Sequence, residues 1–149
     1  MALVDLISPD VVKLPLAAAT KNEVLRELVQ VLLDAGKIPV FEPVYDALAK
    51  REAMGSTGLE QGVAVPHAKT SAVRGLTAAI GIAPRGVDFQ SIDGQPSKLF
   101  FLLLAPPDQS GPHIQALAEI ARLAKSPAFL RLLSGSSSGK EVVELLREC

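Results

Sequence analysis

Residues 99–105 read Leu-Phe-Phe-Leu-Leu-Leu-Ala, a continuous apolar run with no polar residue at alternate positions. A strand of that pattern has no face to turn to water, so it needs covering layers on both sides of its sheet. The run is also far short of the roughly 20 residues a membrane-spanning helix requires. A buried sheet centre is the reading left, closed by Ala105-Pro106-Pro107.

The flanking segments supply the layers. Thr20 and Glu23 form a capping box ahead of Val24, Leu25, Leu28, Val31, Leu32 and Ala35, and Gly36 supplies the stop, so a helix is expected over residues 20–35. A second helix opens near Pro43, carries Val44, Ala47 and Leu48 on one face, and ends by Gly55. Short strands are expected at 63–65 and 77–83, then turns over 86–94 around Val87 and Phe89. A third helix enters after Gly111, with Pro112 early and Ile114, Leu117, Ala118, Ala121 and Ala124 facing inward. Residues 129–133 and 141–146 read as short closing helices around the loop Ser134-Gly135-Ser136-Ser137-Ser138-Gly139. Helices mixed with strands around a doubly buried strand predict a three-layer α/β fold, helices covering both sheet faces, in a single domain over residues 1–149.

Lys and Arg (15) nearly balance Asp and Glu (16), for a net charge of −1, which disfavours nucleic acid or an anionic membrane as partner. The only cysteine is Cys149, so an intramolecular disulfide and a multi-cysteine metal site are excluded. The apolar start of the chain is broken by Asp5, lacks a basic segment and runs into Ser8-Pro9, unlike a signal peptide. A cytoplasmic location is expected, with no metal and no cofactor. A zinc site on the two histidines lacks further ligands at helpful spacing.

His67 and His113 are the only histidines, and both sit at element ends, where scaffolds carry functional side chains. Each is open to a catalytic or phosphoryl role or to the plainer one of a surface or satisfied histidine. Arg51 stands where the stripe of Val44, Ala47 and Leu48 predicts an apolar residue. Its stem lies along the protein with the guanidinium in water, or its fork of donors holds phosphate oxygens. Gly55-Ser56-Thr57-Gly58, just beyond, is a plain turn or an anion cradle, and it lacks the lysine and spacing of a nucleotide-binding P-loop. His113, in the first turn of a helix, is placed to add a donor at a positive helix end.

Arg51-Glu52-Ala53-Met54-Gly55-Ser56-Thr57-Gly58-Leu59 and Gly62-Val63-Ala64-Val65-Pro66-His67-Ala68-Lys69-Thr70 together resemble the enzyme IIA signature of the fructose–mannitol class of the bacterial phosphotransferase system. A second block agrees: Val87-Asp88-Phe89, Asp93-Gly94-Gln95-Pro96 and His113-Ile114-Gln115-Ala116-Leu117, so the resemblance spans residues 3–147. It implies a mixed β-sheet flanked by helices. It also implies that His67 accepts a phosphoryl group on Nε2 from the carrier HPr and passes it to a cysteine of enzyme IIB, with His113 and Arg51 holding that group. Pro-His-Ala-Lys-Thr and Asp-Gly-Gln-Pro look like fructose-specific enzymes IIA, whereas nitrogen-regulatory relatives more often carry glycine after the histidine. Contact with a membrane permease is implied only through the IIB and IIC components.

Overall fold

The structure is a computed structural model and describes residues 3–148, so Cys149 and the first two residues lie outside it. Five strands form one mixed sheet: β1 (Val12–Lys13), β2 (Val63–Ala64), β3 (His67–Lys69), β4 (Thr77–Val87) and β5 (Ser97–Ala105). The order is β1-β4-β5-β2, with β3 also paired to β5, so β2 and β3 are two pieces of one broken edge strand. Pro66 lies in the break, where its missing N–H is no loss, and its carbonyl accepts from Leu103 N–H at 2.9 Å. β4 and β5 run antiparallel, whereas β1 is parallel to β4 and both edge pieces are parallel to β5.

Every residue of β5 from Leu99 to Ala105 is at most 1% exposed, as the apolar run requires. Successive side chains point to opposite sheet faces, so burial of all of them needs cover on both. The helices supply it: α1 (Lys21–Asp34), α2 (Glu42–Ala53), α3 (Ser110–Leu123), α4 (Pro127–Ser134) and α5 (Gly139–Arg147). α1 packs against β4 and α2, while α3 and α4 pack against β5. Among the described residues no helix is long and apolar enough to cross a membrane.

α1 follows its sequence signals closely: the Thr20 hydroxyl accepts from Glu23 N–H at 3.3 Å, and Gly36, at φ +72°, lets the chain turn back. Three expectations change. β4 runs on through Val87, because Gly86 at φ +78° carries an irregularity between Ile82 and Val87 instead of ending the strand. α3 begins at Ser110 and buries His113, Ala116, Ile120 and Leu123, while Ile114 is 65% exposed. The inward face is thus rotated by about one residue from the predicted one, since the packing of α3 on β5 selects between two stripes that alanines make nearly alike. In α2 the buried stripe is Val44, Leu48 and Glu52, so the polar intruder in the core is Glu52 and Arg51 stands beside it, half-buried.

Candidate functional site

His67 opens β3, in register with Leu103 of β5. The Val65 N–H donates to the Thr57 carbonyl at 3.0 Å, which holds the residues before it. His67 Nδ1 lies 2.6 Å from the Val65 carbonyl oxygen. A carbonyl only accepts, so this bond places the proton on Nδ1 and leaves Nε2 as the nitrogen with a lone pair.

His113 comes to the same place from the first turn of α3. Its ring centroid is 5.3 Å from that of His67, at 74° between planes. The side chain is buried, and its Nε2 has no hydrogen-bond partner among the described residues. Arg51 arrives from the last turn of α2, where Nη1 donates to the Gly55 carbonyl at 2.9 Å. Thus two histidines 46 positions apart in the chain, and an arginine from a third element, line one cavity of about 690 Å³.

Lys69 lines the cavity too, a residue the sequence reading passed over. The signal was available, because positions 67 and 69 share a face of a strand while Ala68 points to the core. Lys69 Nζ donates to Ser110 Oγ at 2.7 Å, tying β3 to the start of α3. Lys50, Arg51 and Lys69 outnumber the one lining carboxylate, Asp46, so the cavity favours an anion. Pro43, Met54 and Leu117 make its apolar wall.

Both imidazoles are biased toward the neutral form. Burial lowers the His67 pKa below its ordinary 6.5 and Arg51 adds to this, against the opposing pull of the Val65 carbonyl and Glu52. Burial likewise lowers the His113 pKa, helped by His67 and Lys69. A neutral imidazole with a free Nε2, flanked by a guanidinium, an ammonium and a second imidazole, is equipped to attack an electrophilic centre and to spread the negative charge of a compact polyanionic group. Among the described residues no group of three or more His, Cys, Asp or Glu is arranged to hold a metal ion.

Gly55, Ser56, Thr57 and Gly58 lie beside the site and do not line the cavity. The Ser56 hydroxyl donates to the Phe89 carbonyl and the Thr57 hydroxyl to the Glu52 carboxylate, so neither has a proton left for an anion. The Thr57 and Gly58 N–H groups are also committed, to Glu52 and to Ser56 Oγ. Gly58 is a close-approach position: a Cβ there would sit 2.5 Å from Ser91 Oγ and 2.9 Å from Ser91 Cα. The segment's hydrogen bonds therefore brace the site from behind.

An α/β scaffold with a paired-histidine, cation-lined cavity is the class that fold and site define. The family model for the phosphoenolpyruvate-dependent sugar phosphotransferase system, EIIA 2, matches residues 5–149. The chain belongs to that family. It is 31% identical over 148 residues to the fructose-specific EIIABC component of Bacillus subtilis, covering 99% of this chain and 23% of that much longer protein. It is 33% identical over 147 residues to a nitrogen regulatory protein of Bradyrhizobium diazoefficiens, covering 98% of this chain and 95% of the relative. The crystal structure of nitrogen regulatory protein IIA-Ntr from Neisseria meningitidis superposes with a TM-score of 0.89 at 29% identity, covering 97% of this chain and 98% of the other. Enzyme IIAMTL of Escherichia coli, solved in complex with phosphorylated enzyme IIBMTL, superposes with a TM-score of 0.80 at 25% identity over 96% of this chain and 98% of that one.

Proposed function

We propose that this chain is a phosphohistidine carrier that takes a phosphoryl group from the histidine of HPr onto His67 Nε2 and hands it to a cysteine of an enzyme IIB. The observation that carries this reading is the Nδ1–H bond from His67 to the Val65 carbonyl, which directs attack to Nε2. In the first step the P–N bond to HPr breaks as the bond to His67 Nε2 forms, with the ring proton held on Nδ1 throughout. Arg51 and the uncommitted Nε2 of His113 stand beside the acceptor to hold the phosphoryl oxygens, and Lys69 adds positive charge. In the second step the thiolate of the IIB cysteine attacks phosphorus, the P–N bond breaks as the P–S bond forms, and the electron pair returns to Nε2, leaving His67 as its neutral tautomer. The same reading has the carrier at work in the cytoplasm.

Ala68 after the histidine and the Asp93-Gly94-Gln95-Pro96 block favour fructose-type sugar uptake, in line with the Bacillus relative. A second reading, a nitrogen-regulatory carrier whose phosphorylation state controls partner proteins, is favoured by the near full-length match to the Bradyrhizobium protein. Incubation with labelled phosphoenolpyruvate, enzyme I and HPr tests the shared step: His67→Ala must abolish labelling, and a variant labelled as well as the parent defeats the assignment. Chasing the label onto fructose-type IIB domains separates the readings, since rapid discharge supports uptake and full retention supports regulation.

A further inference from the structure

Glu52 completes the buried stripe of α2 with a side chain 5% exposed, where an apolar residue would close the core without desolvating a charge. Its carboxylate accepts from Lys21 Nζ at 2.9 Å, from Thr57 N–H at 3.3 Å and from the Thr57 hydroxyl. Thr57 in turn accepts from Val65 N–H, and the Val65 carbonyl accepts the Nδ1 proton of His67. The residues between α2 and β2 form no regular strand or helix; an isolated antiparallel bridge, Gly58 to Ala64, helps hold Thr57 against Val65.

The geometry points to Glu52 as a positioning residue for His67: by clamping Thr57 it aims the Val65 carbonyl that selects the tautomer with Nε2 free. This rests on the reading of His67 as phosphoryl acceptor. Thr57 is 4% exposed and linked on one side to the acid and on the other to the segment carrying His67, so a displaced Thr57 shifts the carbonyl that the ring must reach. A hydrogen bond weakens steeply as its angle departs from linear, and without that acceptor the two imidazole tautomers compete.

The test compares Glu52→Gln with the parent by ring nitrogen NMR of the unphosphorylated protein and by steady-state kinetics of phosphoryl acceptance from phospho-HPr. The parent should show one tautomer at His67, protonated on Nδ1. In Glu52→Gln a second tautomer should appear, and kcat should fall by about tenfold with KM for HPr unchanged, the pattern of a group that orients the one reacting. A folded Glu52→Gln protein with parental ring shifts and kcat overturns the proposal. Should that variant fail to fold, Thr57→Val and Thr57→Ser decide: mixed tautomers in the first and a parental ring in the second support it, and parental shifts in Thr57→Val overturn it. If the parent takes no phosphoryl group from HPr, the carrier reading falls, while the ring shifts still decide whether Glu52 positions His67.

Discussion

Replacing Lys21 by methionine keeps an apolar stem and removes the ammonium, which pairs with Glu52, sits 4.8 Å from the centroid of the Phe89 ring and donates to the exposed Gln90 Oε1 at 3.1 Å. Lys21 Nζ and Glu52 Oε2 are 2.9 Å apart, with side chains 17% and 5% exposed. Removing one partner of a fully buried pair costs about 3–5 kcal/mol, because the other charge stays desolvated, whereas an exposed pair contributes about 0–1 kcal/mol. Lys21 retains some exposure, and Glu52 keeps both donors from Thr57, which places the expected loss at about 2–3 kcal/mol. For a chain of this size that corresponds to a fall in Tm of about 4–12 °C. Urea unfolding of the parent, Lys21→Met, Glu52→Gln and the double variant measures the loss and the coupling. The double variant should be more stable than Lys21→Met, since no unpaired charge remains in it. A loss below about 1 kcal/mol, with single effects that simply add, would show that the pair behaves as an exposed one and refute the reasoning.

Other expectations follow from the same geometry. Arg51→Ala and His113→Ala should each slow phosphoryl acceptance by about 100-fold in single-turnover labelling, with His67 still the labelled residue; parental rates would remove them from the site. Acceptance should be flat through neutral pH and fall only below the ordinary histidine value of 6.5, because the lowered pKa of His67 extends its neutral form to more acid conditions; a midpoint above neutrality would contradict this. Stability should fall as pH drops below about 6.5, where the unfolded chain takes up protons on His67 and His113 before the folded chain does, and this contribution is constant above that range; urea midpoints from about pH 5 to about pH 8 check the sign. Gly58→Ala should destabilise the fold by about 1–3 kcal/mol in the same assay, since its methyl group collides with Ser91 backbone, and a neutral effect would mean that the loop yields freely.

Much of the architecture was readable from local pattern. The apolar run at 99–105, the Thr20 cap and the Gly36 stop each carry their own physical cause within a few residues, and each stands where expected. Where two local solutions are nearly equal, the pattern misled. α3 offers one stripe through His113, Ala116, Ile120 and Leu123 and another through Ile114, Leu117 and Ala121, and only the sheet beneath it chooses. The same holds for α2, where the neighbouring positions 51 and 52 exchange roles: Arg51 borders the cavity and Glu52 enters the core. Nothing local marks an acid for burial, since its compensation comes from Lys21 and Thr57, 31 residues before it and 5 after it.

By itself the sequence determined which groups are available: two imidazoles at element ends, an arginine at a helix end, and a doubly apolar strand that obliges helices to cover both faces of a sheet. Those are matters of side-chain chemistry and of periods set by the backbone. Tertiary structure alone decided that the two rings lie 5.3 Å apart, that Nδ1 of His67 meets a carbonyl, and that the hydroxyls of Ser56 and Thr57 turn inward to brace the site. Hydrogen bonds and desolvation act over a few ångströms of space, and the packing that brings distant residues within that range is a property of the whole fold.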